Sequence, residues 1–222
     1  MSILVLHGAL GSRHQFEPLL AALGPTASFL EFHGHGSTPD VDAAWSIELF
    51  AAQLEATLVE MDRPQIFGYS MGGYVAMYAA LRRPELFSSI ITLATKLEWS
   101  PSGSAHEIKK LNADVIQEKV PAFAADLQRR HGADRWRVVL GRTATLMTDL
   151  GSHPLITADV AANLTVPVHL GVGDRDEMVS IEETIHIYRS TPLATLTVFP
   201  SMRHPIERAS VEQLVHHITR MQ

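Results

Sequence analysis

The apolar runs of this chain predict an α/β protein, with about six mostly parallel strands in one sheet flanked by helices and a helical segment inserted after the fourth strand. Three observations carry that expectation. Short aliphatic runs alternate with segments of helical period from residue 3 to residue 94. Residues 98–164 then hold no strand candidate and read as helix, after which the alternation resumes to residue 220. In 222 residues, without an internal repeat, the pattern describes one domain over 1–222 with an insertion at about 98–164.

Residues 3–6 are four consecutive aliphatics stopped by His7-Gly8, as in a strand buried on both faces. A glycine-bearing loop leads to a short helix over 16–23, closed by Gly24-Pro25. A second strand over 27–32 runs into the loop HGHGSTPD, and residues 45–61 place Ile47, Phe50, Leu54 and Leu58 on one helical face. The third strand comes just before Gly68, the next helix covers 73–82, and the β-branched run 88–94 is the fourth strand. Within the insertion, helices are expected over 112–119, 121–131 and 133–150, split by Pro121, Gly132 and a Gly-Ser-His-Pro run. Its cations, among them Lys109, Lys110, Lys119, Arg129, Arg130, Arg135, Arg137 and Arg142, are expected on a solvated face, with room for one to reach inward. Strands over 166–172 and 194–199 and a helix over 211–220 complete the chain.

The stretch QIFGYSMGGYVAMYAALR, residues 65–82, organises the rest. Gly68-Tyr69-Ser70-Met71-Gly72 matches G-x-S-x-G between a strand and a helix. A turn this tight forces the serine toward positive φ, and glycine two residues to either side lets the backbones cross. It lifts Ser70 Oγ clear of the sheet and sets it at a helix N-terminus, where free N–H groups favour a developing anion. The Met71 N–H is one candidate oxyanion donor. The Ala9 N–H, or else that of Leu10, on the loop after the first strand, is the second. Asp174 and Asp176 follow the fifth strand and His204 follows the sixth, so the chain presents serine, acid and histidine in that order. His7 sits at a strand end beside glycine and is expected to order its loop by hydrogen bonds. His7, His33 and His35 lack the spacing of a metal set, and no metal or cofactor is called for.

Composition narrows the class. Eighteen Lys and Arg against 24 Asp and Glu leave a net charge of −6, which argues against nucleic acid and anionic membranes as partners. No cysteine is present, so thiolate chemistry and disulfides are excluded. The start MSILVLHG has too short an apolar run for a secretory signal, and no run reaches a membrane span, so a cytoplasmic protein acting on a small molecule is expected. An apolar content of 46% forces no interface and leaves the oligomeric state open.

The motifs HGALGS at 7–12, FHGHGS at 32–37, GYSMGG at 68–73, GDRDEMV at 173–179 and the histidine of MRHPIE at 202–207 together resemble the α/β-hydrolase superfamily over nearly the whole chain. The resemblance implies Ser70 as nucleophile, His204 as general base and acid, an Asp that holds His204, and an oxyanion hole of the Ala9 and Met71 N–H groups. The family's G-x-x-D pattern maps Gly173 to Asp176, which favours Asp176, with Asp174 as the alternative. Leu10, Tyr69, Lys96 and Trp99, near strand ends, are the candidates for lining the pocket. The chain departs from the family in three ways. It begins at the family's usual third strand, it has Arg203 where relatives often have Gly, and it has Tyr74 where the similar menaquinone-pathway lyases commonly have Arg.

The leading expectation is a serine hydrolase, carboxylesterase-like, that cleaves a small ester, thioester or amide through an acyl-enzyme under a helical cap. The same triad serves C–C bond hydrolysis or elimination of the menaquinone-pathway kind, and a low-turnover binding protein is a third possibility. A dehalogenase is disfavoured, because members of that type have Asp where this chain has Ser70. A deep cationic pocket would favour an anionic substrate and the lyase, and a narrow apolar one short acyl esters.

Overall fold

The computed structural model describes residues 2–220. Six strands, β1 (Ile3–Leu6), β2 (Ala27–Leu30), β3 (Gln65–Tyr69), β4 (Ser89–Leu93), β5 (Val168–Gly173) and β6 (Ala194–Phe199), form one sheet in the order β2-β1-β3-β4-β5-β6. Every pairing is parallel. β1, β3 and β5 are buried at every position, as their continuous apolar runs require.

The helices take both faces. α1 (Glu17–Leu23) lies on one side, and α2 (Ile47–Val59) and α3 (Met71–Arg82) pack together on the other. The helical segment after β4 comprises α4 (Pro101–Ile108), α5 (Ala113–Lys119), α6 (Pro121–His131), α7 (Trp136–Ser152) and α8 (Ala158–Ala161). α9 (Ile181–Ser190) follows β5, and α10 (Val211–Arg220) closes against α1. One core forms between the sheet and α2 and α3, around Leu4, Phe50, Leu54 and Met77. A second, around Val5, Phe16, Phe67 and Ile218, fills the opposite face. Ile116, Ala124, Leu127, Trp136 and Leu140 make a small core within the helical segment itself.

Several expected boundaries move, each for a local reason. The helix over 16–23 starts at Glu17 after a 3₁₀ turn (Arg13–Phe16), and the strand over 27–32 stops at Leu30 as the chain leaves the sheet. The helix placed at 73–82 begins at Met71, directly after Ser70. The helix placed at 133–150 runs from Trp136 to Ser152, and the strand placed at 166–172 starts at Val168 and ends at Gly173. Three helices are additional, among them the four-residue α8, whose N-cap Thr157 hydroxyl accepts the Val160 N–H at 3.3 Å. α4 follows Ser100, whose hydroxyl accepts the Gly103 N–H at 3.1 Å. α9 follows a capping box in which the Ser180 hydroxyl accepts the Glu183 N–H at 3.1 Å and the Glu183 carboxylate accepts the Ser180 N–H at 3.2 Å. No helix among the described residues is long and apolar enough to cross a membrane.

Candidate active site

The turn between β3 and α3 holds Ser70 at φ 51°, the positive value the tight turn demands. Gly68 is required there, because a Cβ on it would stand 2.6 Å from the Gly73 backbone. The Ser70 N–H donates to the Leu93 carbonyl at 2.8 Å, and the Thr95 hydroxyl donates to the Ser70 carbonyl at 3.1 Å, so the strained residue is tied on both sides to the end of β4. α3 starts at Met71, whose N–H is among those a helix N-terminus leaves without an intrahelical acceptor. On the other side, Gly8 packs so close to the turn that a Cβ on it would lie 2.9 Å from the Tyr69 ring and 3.0 Å from Ser70 Cβ.

The loops after β5 and β6 bring the other two groups to the serine. Ser70 Oγ lies 3.4 Å from His204 Nε2, and His204 Nδ1 lies 2.9 and 3.1 Å from the two Asp176 carboxylate oxygens. A carboxylate only accepts, so Nδ1 carries the proton and Nε2 faces the hydroxyl as acceptor. The Asp176 carboxylate is fully buried, and its Oδ1 accepts the Met178 and Val179 N–H groups, each at 2.8 Å. Asp174 is exposed, with its N–H spent on the Phe199 carbonyl. Of the two candidate acids, the structure brings Asp176 to the histidine.

Ala9, Ser70 and Met71 border one apolar cavity, together with Tyr74, Lys96, Trp99, Met178 and, from α7, Leu146, Met147 and Leu150. The free cavity volume beside Ser70 is only about 20 Å³, so the room there is narrow. Lys96 and Trp99 thus lie where the strand-end argument put them. Leu10 and Tyr69 are not on this wall. The Tyr69 hydroxyl instead donates to the His204 carbonyl at 2.7 Å, and its burial, aided by the nearby Glu207 and Asp176 charges, pushes the phenol pKa up. Leu10 packs between the sheet core and the core of the helical segment.

Charge on the wall is balanced. The Lys96 ammonium lies 3.2 Å from Glu183 Oε2, and Glu183 Oε1 accepts the Leu97 N–H at 3.1 Å. The Tyr74 hydroxyl accepts the N–H groups of Leu155 and Ile156 at 3.0 and 2.8 Å, and burial, only partly offset by these donors, pushes its pKa up to about 12. Cations of the helical segment are largely paired on the surface, Lys110 with Glu107, Arg137 with Asp114 and Arg142 with Asp40. Arg130 and Arg135 turn inward, toward the loops after β1 and β2.

His7 behaves as a loop organiser. Its Nε2 accepts the Phe32 N–H at 3.0 Å and its Nδ1 donates to the Gly8 carbonyl at 2.7 Å. Complete burial holds its pKa down to about 4. His35 lies 4.8 Å from it, ring centre to ring centre, and His131 from α6 lies 5.9 Å from His35. Burial lowers the pKa of both. Among the described residues no group of three or more His, Asp or Glu side chains could hold a metal ion.

The residues missed from sequence are Tyr74, Met178, the three α7 side chains and Glu183. The 3.6-residue spacing of Val139, Thr143, Leu146, Met147 and Leu150 marks an apolar face of α7, and the Ser180-x-x-Glu183 box marks α9.

Comparison with known proteins agrees with this geometry. The family model described as "Serine aminopeptidase, S33", of the hydrolase class, matches residues 2–208. The chain belongs to that family, and with it to the α/β-hydrolase superfamily. It is 31% identical to the pimeloyl-[acyl-carrier protein] methyl ester esterase of Neisseria meningitidis serogroup B over 129 residues, covering 56% of this chain and 47% of that protein. The chain therefore spans about half the length of that relative. It is 24% identical over 237 aligned positions to the putative 2-succinyl-6-hydroxy-2,4-cyclohexadiene-1-carboxylate synthase of Bacillus subtilis, covering 92% of this chain and 84% of the other. Among solved structures, NosK from Streptomyces actuosus superposes with a TM-score of 0.83 at 21% identity, covering 99% of this chain and 96% of that one. At that identity the likeness speaks for the fold alone.

Proposed function

We propose that this protein is a serine hydrolase that cleaves small esters of short, neutral, apolar acyl groups through an acyl-enzyme, with α4–α8 acting as a cap over the site. The observation that carries the proposal is the hydrogen-bonded line from Ser70 Oγ through His204 to the buried Asp176 carboxylate, opening on a narrow apolar cavity.

In the reaction, Ser70 Oγ attacks the ester carbonyl carbon as His204 Nε2 takes the hydroxyl proton. At 3.4 Å the Ser70–His204 contact lies at the long end of hydrogen-bond reach, and it is expected to shorten as the hydroxyl attacks. Asp176 stabilises the imidazolium and keeps its Nδ1–H directed. The Ala9 and Met71 N–H groups receive the oxyanion, a contribution that on the order of 10²- to 10³-fold in kcat attaches to a single donor in comparable enzymes. The tetrahedral intermediate collapses, the alcohol leaves with the proton from His204, and water repeats the sequence on the acyl-enzyme.

The wall chemistry selects the acyl group. Lys96 is neutralised by Glu183, and Tyr74 occupies the position where the similar lyases commonly carry Arg, so no unpaired cation among the described wall residues awaits an anionic substrate. That balance favours hydrolysis of a neutral ester over elimination from a carboxylate-bearing one, and the relative named as a methyl ester esterase supports the same direction. A p-nitrophenyl ester series from acetate to octanoate tests the proposal. Turnover is expected to peak at short chains and to vanish in Ser70→Ala. Turnover that rises steadily to octanoate, or that survives in Ser70→Ala, would overturn it.

A further inference from the structure

The last turn of α6 reaches back to the loop that carries Ala9, and the link is built on one histidine. Residues 8–11 make a tight turn, closed by the Gly11 N–H on the Gly8 carbonyl at 3.0 Å. Its third residue, Leu10, sits at φ 59°, a left-handed conformation that a residue with a bulky side chain keeps only when its surroundings hold it there. The hold lies on the Leu10 carbonyl oxygen, which accepts from His131 Nε2 at 3.0 Å and from Arg130 Nη1 at 3.3 Å.

The other ring nitrogen of His131, Nδ1, accepts the Gly36 N–H at 3.0 Å. An amide N–H only donates and a carbonyl oxygen only accepts, so these two partners require the neutral imidazole with its proton on Nε2. Arg130 adds a second tie, pairing with Glu207 at 2.6 Å, three residues beyond His204. One helical turn therefore grips both the loop of the candidate oxyanion donor and the loop of the candidate base.

We propose that His131 is a positioning residue for the reaction: through the Leu10 carbonyl it fixes the turn 8–11 and the direction of the Ala9 N–H, so that a competent oxyanion hole depends on the seating of α6. The inference rests on the proposed roles of Ser70 and the Ala9 N–H. His131 itself touches no reacting atom. Without its N–H, only the longer Arg130 contact at 3.3 Å still holds the Leu10 carbonyl, so Leu10 relaxes toward negative φ and the preceding peptide planes rotate with it.

Three variants of the full chain separate this role from a merely structural one. His131→Leu removes both hydrogen bonds, His131→Asn keeps an acceptor near Nδ1 but does not reach the Leu10 carbonyl, and His131→Gln carries an amide N–H to the position of Nε2. With p-nitrophenyl butyrate, His131→Leu and His131→Asn are expected to lose about 10- to 100-fold in kcat with KM within about 3-fold, and His131→Gln to recover most of the rate. Hydrogen exchange of the peptide covering residues 8–12 is expected to accelerate in the first two variants and not in the third. An active wild type whose His131→Asn variant keeps full kcat overturns the inference, as does equal loss in Asn and Gln. An inert wild type would instead refute the catalytic assignment and with it the positioning role. Unchanged exchange at 8–12 in that case would dismiss the clamp as well. If His131→Leu does not fold, the Asn and Gln pair still decides.

Discussion

His204 and His131 show how partners decide what a histidine can do. His204 lies between a hydroxyl and a carboxylate, groups that exchange or stabilise a proton. His131 lies between a backbone N–H and a backbone carbonyl, groups that accept no change in its protonation without losing a bond. His204 is partly open to solvent, at 21% side-chain exposure, whereas His131 is buried at 1%. Under the proposed function the first is placed for proton transfer, and the second for shape. His7, held by the Phe32 N–H and the Gly8 carbonyl, belongs with the second kind.

The largest effect that would break this contrast is on the proton-transfer side. Asp176→Asn keeps the shape of the carboxylate but removes the acceptor charge that directs His204 Nδ1–H. A fall in kcat of about 10⁴ is expected, with the melting temperature little changed. A variant within tenfold of wild type would mean that His204 does not work through this carboxylate.

The shape-holding side is tested by pH. Burial holds the folded-state pKa of His7 near 4, against about 6.5 when unfolded, holds that of His217 near 4 as well, and lowers those of His35, His131 and His169. Between those values the unfolded chain binds protons that the folded one refuses. Stability is therefore full above about pH 6.5 and is lost as pH falls toward 4, His7 alone accounting for on the order of 3 kcal/mol. Urea midpoints that decline from pH 7 to pH 4.5 are expected, and midpoints that stay level across that range would show these rings protonated in the folded state.

The smallest effect sharpens the boundary between the two kinds. Tyr69→Phe removes the hydrogen bond to the His204 carbonyl and leaves the ring packed. A loss of about 1 kcal/mol in stability is expected, with kcat reduced less than about tenfold. A loss near that of Asp176→Asn would move Tyr69 from support of the loop into the chemistry.

What the sequence disclosed follows the same division between local and assembled features. The strands were legible because runs such as Ile3–Leu6 and Gln65–Tyr69 are buried on both faces and carry few polar residues. Ser70 was legible because its turn is a local backbone requirement, and His204 because its place after the last strand is a matter of chain order. Asp176 was already favoured over Asp174 by the G-x-x-D pattern, and the turn in which the Met178 and Val179 N–H groups hold its carboxylate is the physical reason for its inward placement. Leu10 and Tyr69 do lie at strand ends, but a strand-end position says nothing of where the side chain points, and theirs leave the cavity. The α7 wall and the His131 link arise from how one helical segment seats on a distant sheet. No local pattern encodes that seating. α9, by contrast, has a local signal in its Ser180-x-x-Glu183 box, yet it was not among the expected helices.

The central claim is that Ser70 is an activated nucleophile, and intact mass spectrometry after incubation with a fluorophosphonate tests it most directly. A single adduct is expected on the wild type, none on Ser70→Ala, and a much slower one on His204→Ala. A folded wild type that gains no adduct, or a Ser70→Ala variant that gains the same one, would contradict the account.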